Sequence, residues 1–358
     1  ITGKGLHGLS EPADVIDCGN SGTTIRLITG LLAGQSFFSV VTGDQYLRKR
    51  PMKRVVEPLT MMGARILGRN KGSLAPLAIN GGSLKAVNYQ SPVSSAQVKS
   101  AIMLAGLYAE GVTSVKEPSL SRDHSERMFR LFGAAVKSSG NDISVSGGRE
   151  LQAREIDVPG DISSAAFFMV AALITPGSEL LIRNVGVNPT RTGVVDILRL
   201  MGGYIELIDE REISGEPVAD ILVKASILKG ISISGSLVPR AIDEFPAICV
   251  AAASAEGITS IREARELRVK ETDRISAMAV NLRELGVIVE ECDDGMDITG
   301  TEQLHGGSVK SFGDHRIAMS ISVAALVSST GISISDIECV STSFPNFFKL
   351  LKQLSGAH

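Results

Sequence analysis

Ile248-Cys249-Val250-Ala251-Ala252-Ala253-Ser254-Ala255-Glu256-Gly257-Ile258-Thr259-Ser260-Ile261 holds the reading on which the fold turns. Its first eight residues are small or apolar around a whole helical wheel. Such a helix is buried on most sides. Glu256-Gly257 interrupts it, and the β-branched run that follows reads as a strand.

The same grammar recurs along the chain. Gly34, Gly111, Gly177, Gly257 and Gly331 each open a short strand, at intervals of 77, 66, 80 and 74 residues. Repetition on one length scale marks a duplicated structural unit. The strands expected are 37–41, 112–115, 180–182, 258–261 and 332–334. Small-residue helices precede them over 23–33, 96–109, 163–174, 248–255 and 317–327. A second, amphipathic helix follows each strand. Four of these close on an apolar residue and Gly: Met62-Gly63, Phe132-Gly133, Met201-Gly202 and Leu285-Gly286. Gly just past a helix accepts the left-handed conformation that ends it. Two more strands complete the unit, as at 204–208 and 221–223. The tripeptide Ile1-Thr2-Gly3 repeats the unit ending Ile298-Thr299-Gly300. The expectation is therefore five complete or nearly complete units plus the tail of a sixth. Three units, the first truncated, end near Asp157, and Val158-Pro159-Gly160-Asp161 begins the other three. Domains 1–158 and 159–358 follow, with Asp161 or Ser163 capping the next helix.

Composition bounds the function. The 358 residues are 44% hydrophobic and 21% charged, as in a folded protein rather than a disordered one. Only 4% are aromatic and there is no Trp. A net charge of −3 calls for neither nucleic acid nor an anionic membrane. No apolar run of about 18 residues predicts a membrane span. Cys18, Cys249, Cys292 and Cys339 lie far apart, so neither a zinc site nor a disulfide framework is expected, and a reducing cytoplasm is.

Polar clusters sit where helices begin. Asp17-Cys18-Gly19-Asn20-Ser21-Gly22-Thr23-Thr24-Ile25-Arg26 offers Asn20 or Ser21 as a cap, with free backbone amides suited to an anion. Arg48-Lys49-Arg50-Pro51 is a basic run of a kind that is usually a solvated face. Ser94-Ser95-Ala96-Gln97-Val98-Lys99-Ser100 opens a helix with hydroxyls. In Ser121-Arg122-Asp123-His124-Ser125, Ser125 can cap. Ile242-Asp243-Glu244-Phe245-Pro246 sets two carboxylates before a buried helix, where Asp243 is either a cap or a base. Arg268-Val269-Lys270-Glu271-Thr272-Asp273-Arg274 and Asp314-His315-Arg316 complete the set. Equivalent loops of a repeat cluster, so Arg26, Arg50, Arg122, Lys270, Arg274 and Arg316 concentrate positive charge in an acidic chain. That pattern fits a small polyanion bound by guanidinium forks. Nucleic acid asks for a broader basic face with stacking aromatics.

These motifs, taken in order across essentially the whole chain, resemble the EPSP synthases (3-phosphoshikimate 1-carboxyvinyltransferases), a family of enolpyruvyl transferases. The heptapeptide Arg268–Arg274 is the most specific of them. The resemblance implies an α/β (α+β) fold: a two-domain inside-out α/β barrel of βαβαββ units around buried helices. It implies transfer of the enolpyruvyl group of phosphoenolpyruvate to the 5-hydroxyl of shikimate 3-phosphate, on the route to aromatic amino acids. Arg50, Arg274 and Arg316 would hold phosphoenolpyruvate, with Gly22 and Gln97 beside it. Gly22 would leave room for that substrate or for the inhibitor glyphosate. Ser95, Ala96, Gln97, Arg122, Asp243 and Lys270 would bind shikimate 3-phosphate. Asp243 would take the hydroxyl proton, and Glu271 would exchange a proton with the methylene carbon. Asn20, Thr23, Arg26, Asp314 and His315 would support the site, no metal or organic cofactor would be needed, and a monomer is the expectation.

Two departures stand out. The family's opening Asp-Lys-Ser-Ile-Ser-His-Arg motif is not in the chain. The Lys that many members carry before a Thr-Phe-Pro or Thr-Ser-Phe-Pro element is absent from Val340-Ser341-Thr342-Ser343-Phe344-Pro345. A second reading follows: a truncated fragment that folds, binds ligand weakly at most and turns nothing over. The related UDP-N-acetylglucosamine enolpyruvyl transferases carry a reactive Cys in a mobile loop, and the matching stretch around 46–51 has none.

Overall fold

The structure, a computed structural model, describes residues 2–356. The chain divides into two units, Ile1–Ile156 and Asp157–His358. Unit 1 holds two repeats. The first runs β1 (Ile16–Asp17), α1 (Gly22–Ala33), β2 (Phe38–Thr42), α2 (Lys53–Met61), β3 (Arg65–Gly68), a single turn α3 (Arg69–Gly72) and β4 (Leu74–Asn80). The second runs β5 (Asn88–Gln90), α4 (Ala96–Gly106), β6 (Val112–Lys116), α5 (His124–Leu131), β7 (Val136–Ser139) and β8 (Asp142–Ser146). Their sheets are ordered β1-β2-β4-β3 and β5-β6-β8-β7. In each, the first pair is parallel and the rest antiparallel.

Unit 2 holds three repeats. The first is α6 (Ile162–Ile174), β9 (Glu179–Gly186), α7 (Gly193–Leu200), β10 (Tyr204–Ile213) and β11 (Glu216–Lys224). The second is β12 (Ser232–Ile233), a short α8 (Leu237–Arg240), α9 (Phe245–Ala253), β13 (Ile258–Ile261), α10 (Arg274–Glu284), β14 (Ile288–Cys292) and β15 (Gly295–Thr299). The third is β16 (Gly307–Lys310), α11 (His315–Ala324), β17 (Ile332–Ser335) and α12 (Phe347–Ser355). The sheets are β10-β11-β9, β12-β13-β15-β14 and β16-β17.

The small-residue helices take the inside. In unit 2, α6, α9 and α11 share one core in which Phe167, Phe245 and Phe347 are fully buried. Every residue of α9 is buried. In unit 1, α1 packs on α4, and Ile25, Leu32, Ala101 and Ala105 are sealed from solvent. The four glycines expected to end amphipathic helices do so, with φ of 108° at Gly63, 83° at Gly133, 91° at Gly202 and 84° at Gly286.

Several expectations are corrected. The short strand before each buried helix leaves no mark in the residue pattern, and it is the first strand of the βαβαββ unit that the resemblance implies. β1, β5, β12 and β16 run only two to four residues and pair parallel with the strand after that helix. Such a length carries no periodicity to read. Before α6 it shrinks to the parallel bridge Gly160↔Val185. Helix α9 starts at Phe245 rather than 248, because Pro246 in the first turn lacks only an N–H that would be unpaired anyway. Helix α4 stops at Gly106, and the chain tightens through i→i−3 bonds at Tyr108 and Ala109. The last repeat shows β16 and β17 without a following strand pair among the described residues.

The close of a repeat has a steric signature. A Cβ on Gly300 would stand 1.6 Å from the Ala255 carbonyl oxygen. At Gly81 and Gly147 the distances to the Gln35 and Ala109 carbonyls are 2.2 and 2.1 Å. At Ile1-Thr2-Gly3 this setting is not found. Ile1 lies outside the described residues, Thr2 and Gly3 are not in a strand, and Gly3 faces open space. We predict that Gly300→Ala lowers unfolding free energy by about 2 kcal/mol, an overpacking cost. Gly82→Ala, where nothing lies within 4 Å, should change it by under ~0.5 kcal/mol. Denaturant unfolding of the two variants checks this; equal stability would show that the repeat ending can relax.

Candidate active site

In unit 1, Ser21 precedes α1 in extended backbone, and its Oγ accepts the Thr24 N–H at 3.1 Å. Ser21 is thus the cap, and Asn20 is left for other work. Asn20 Nδ2 donates to Asp44 Oδ2 at 2.7 Å, and Asn20 Oδ1 accepts from Arg50 Nη2 at 2.8 Å. Arg26, one turn into α1, donates to the Gln97 side-chain oxygen and to the Pro51 carbonyl at 3.3 Å. Gln97 Nε2 donates in turn to Thr23 Oγ1 at 2.6 Å. Two bonded groups therefore meet at the starts of α1 and α4, Asn20 with Arg50 and Thr23 with Gln97 and Arg26, and Arg26 also reaches the carbonyl of Pro51, next to Arg50. Gly22 lies where they meet. A Cβ there would stand 2.9 Å from Arg50 Nη1 and 3.2 Å from Arg26 Nη1. The bare glycine lets two guanidiniums close on a helix N-terminus, a setting that favours an anion. The basic run splits accordingly: Arg48 and Lys49 are exposed, and Arg50 is half-buried and held.

Ser95 precedes α4 without a side-chain cap bond, and Ala96 is the first helical residue. The Ser95 N–H donates to Glu117 Oε1 at 2.9 Å. Arg122 lies in the loop before α5. Ser125 does not cap that helix. Asp123 occupies the position, and Ser125 Oγ bonds Ser100 Oγ at 2.6 Å.

Unit 2 gathers the other predicted residues. Asp314 caps α11, its Oδ1 accepting the Arg316 N–H at 2.9 Å. Its Oδ2 accepts from Arg274 Nε at 2.8 Å. Arg274 begins α10 and is only 2% exposed. Its Nη2 donates to Glu271 Oε2 at 2.7 Å. Its Nη1 lies 3.6 Å from Asp243 Oδ1 and makes no hydrogen bond among the described residues. Asp243 is also 3.5 Å from Lys270 Nζ, and its carbonyl accepts from Arg316 Nη1 at 3.1 Å. Asp243 is not the α9 cap; Glu244 stands there. Asp161, not Ser163, caps α6, through Ser164 N–H at 2.9 Å. Arg268 faces away, donating to Asp273 at 2.8 Å and the Cys292 carbonyl at 2.6 Å, and so ties its loop to β14.

Burial and charge set the proton affinities. Burial alone would raise the Asp314 carboxyl, but Arg274 against it holds it below the usual value. Burial alone would lower Arg274; Asp314, Glu271 and Asp243 reverse that and keep it charged. Burial pushes His315 down despite Asp314 beside it. Burial, then the Asp243 charge, pushes Glu244 up. Among the described residues no group of three His, Cys, Asp or Glu side chains is placed to hold a metal.

Sequence reasoning assigned no role to Glu244, Arg191 or Lys99. Glu244 accepts from Ser163 Oγ, and Ser163 Oγ accepts from Arg191 Nη2 at 2.5 Å. Lys99 lies in a buried ion group with Glu117 and Glu126. A lysine inside an otherwise small-residue helix was the signal available for the last.

Residues 1–351 match the family model described as EPSP synthase (3-phosphoshikimate 1-carboxyvinyltransferase). The chain belongs to the EPSP synthase family. The 3-phosphoshikimate 1-carboxyvinyltransferase of Pelobacter propionicus is 76% identical over 99% of this chain and 82% of its own length. That of Geobacter metallireducens is 68% identical over 99% and 83%. The solved EPSP synthase of Acinetobacter baumannii is 50% identical with a TM-score of 0.87, covering 98% of this chain and 80% of its own. The EPSP synthase fold is thus the fold of this chain, two α/β units of repeated strands and helices. No helix among the described residues is long and apolar enough to cross a membrane.

The Asp314–Arg274 pair yields a stability prediction. A carboxyl whose folded pKa is depressed stabilises the fold above its unfolded pKa, and that contribution is lost as pH falls through the folded value. The window therefore opens below the ordinary 3.8. Asp314→Asn should cost about 3 kcal/mol at pH 7, as for a broken buried pair. The gap to the parent should narrow as pH drops below 3.8. Urea unfolding across that range checks it; a gap constant with pH would refute the charge-based account.

Proposed function

We propose that the chain transfers the enolpyruvyl group of phosphoenolpyruvate to the 5-hydroxyl of shikimate 3-phosphate, releasing phosphate, as a cytoplasmic monomer. The observation that carries the site assignment is the Arg274 guanidinium. It is buried, fixed on two edges by Asp314 and Glu271, and its Nη1 has no hydrogen bond among the described residues. An unspent donor on an immobile cation is suited to an incoming oxyanion. The four cysteines are free thiols, in keeping with a reducing compartment.

Within unit 2 we assign Arg274 and Arg316 to phosphoenolpyruvate, and Lys270 and Asp243 to shikimate 3-phosphate. Within unit 1 we assign Gly22, Arg50 and Gln97 to phosphoenolpyruvate, and Ser95, Ala96, Gln97 and Arg122 to shikimate 3-phosphate. Glyphosate, an anion of similar reach, is expected to compete at the phosphoenolpyruvate residues. The chemistry is addition, then elimination. Asp243 accepts the 5-hydroxyl proton as that oxygen bonds to C2 of phosphoenolpyruvate. Glu271 delivers a proton to C3, giving a tetrahedral intermediate. Removal of a proton from the new methyl group and departure of phosphate restore the double bond. The placement of Asp243 within 3.6 Å of two cations supports this role. The fixed cations also supply stabilisation for charge that builds on the leaving phosphate.

Phosphate release requiring both substrates tests the function, with calorimetric binding of shikimate 3-phosphate as a second readout. Neither release nor binding would overturn it. Asp243→Asn and Glu271→Gln should each lower kcat by about 10²–10⁴-fold, the usual share of a general acid or base. Shikimate 3-phosphate should still bind to Glu271→Gln. An undiminished kcat in either variant would remove that residue from the chemistry.

A further inference from the structure

A lysine in unit 1 is sealed inside the protein. Lys99 lies on α4, one turn after Ser95. Its side chain has no solvent exposure, nor has that of Glu117 past the end of β6, and Glu126 on α5 has 2%. An ammonium carries three N–H donors, and Lys99 reaches three acceptors. They are Glu126 Oε1 at 2.7 Å, Glu117 Oε2 at 3.1 Å and the Ser121 carbonyl at 3.5 Å. Burying such a group costs desolvation on every member, and packed apolar residues often serve stability as well. The placement therefore asks for a role beyond stability.

The partners indicate what it is. Glu117 Oε1 accepts the Ser95 N–H at 2.9 Å, and its Oε2 accepts from Ser121 Oγ at 2.7 Å. Ser94 Oγ donates to the Ser119 carbonyl at 2.8 Å and accepts the Ser119 N–H at 2.9 Å. One ammonium thus anchors two segments at once: the start of α4, which carries Ser95, and the 119–123 loop, which carries Arg122. We propose that Lys99 is a positioning residue that fixes Ser95 and Arg122 for the phosphate of shikimate 3-phosphate without touching it. This rests on the assignment of Ser95 and Arg122 made above. Without the ammonium, two buried carboxylates face each other and the loop loses its bond from Lys99 to the Ser121 carbonyl.

Three variants decide it: Lys99→Met, which keeps chain length and removes charge; Ser121→Ala, which keeps the triad and cuts one loop bond; and Arg122→Ala. Shikimate 3-phosphate affinity is measured by calorimetry, and amide exchange over 117–123 by mass spectrometry. Lys99→Met should weaken binding about tenfold or more, and Ser121→Ala about threefold, the scale of lost charge-assisted and neutral hydrogen bonds. Exchange over 117–123 should quicken while unit 2 keeps its parent rates, a pattern that general destabilisation would not give. If Arg122→Ala leaves affinity unchanged, the ligand assignment fails. If Arg122→Ala weakens binding while folded Lys99→Met stays within about twofold of the parent, the positioning role fails. Should Lys99→Met not fold, unchanged affinity and loop exchange in Ser121→Ala overturn the proposal.

Discussion

A helix that is small and apolar on every side has no face to give to water. That constraint organises both units. Each such helix must be surrounded, so the strands and amphipathic helices are laid outside it. In unit 2 the three buried helices α6, α9 and α11 settle on one another. Their interiors can carry no charge, and polar chemistry is confined to their first turns. There the backbone N–H groups have no partner within the helix. Asp161, Asp243, Glu244, Asp314, His315 and Arg316 all lie at such starts. The site is placed where the fold leaves donors unspent.

The electrostatics of unit 2 follow from the same geometry. Arg274 does not wait in solvent for a ligand. Asp314 and Glu271 hold it beforehand, so little conformational freedom remains to be lost on binding. The carboxylates carry a cost as well, since each offsets part of the attraction felt by an anion. Unit 1 takes another route. Arg26 and Arg50 are steered by neutral groups, Gln97, Asn20 and a backbone carbonyl. The bare Cα of Gly22 lets them approach.

Much of this was legible in the sequence. Residue size gave the buried helices, and glycine spacing gave the repeat. The clustered helix-start motifs singled out the residues proposed for the site, and the family resemblance supplied the roles proposed for them. The unread parts share a cause: they depend on partners distant in the chain. Strands such as β1 and β12 exist only because a neighbour offers a parallel edge. The choice of Ser21 over Asn20 as cap was open locally, and Asp44 and Arg50 decided it by engaging Asn20. Ser125 looked like a cap until Ser100 took its hydroxyl. Nothing local to Lys99 names its partners, because Glu117 and Glu126 come from other elements.

The bonds that hold the unit 2 site span long stretches of chain. Arg274 and Asp314 are 40 residues apart, Arg316 and Asp243 73, and Ser163 and Glu244 81. Asp243, Lys270, Glu271 and Arg274 share one repeat, but Asp314, which holds Arg274, and Arg316, which binds the Asp243 carbonyl, come from the next. The pattern of charges is complete only when these repeats have docked. Contacts between residues far apart in the chain slow folding as a rule. A ligand that recognises this pattern would then act as an inspector of finished molecules, drawing the population toward the completed unit by mass action.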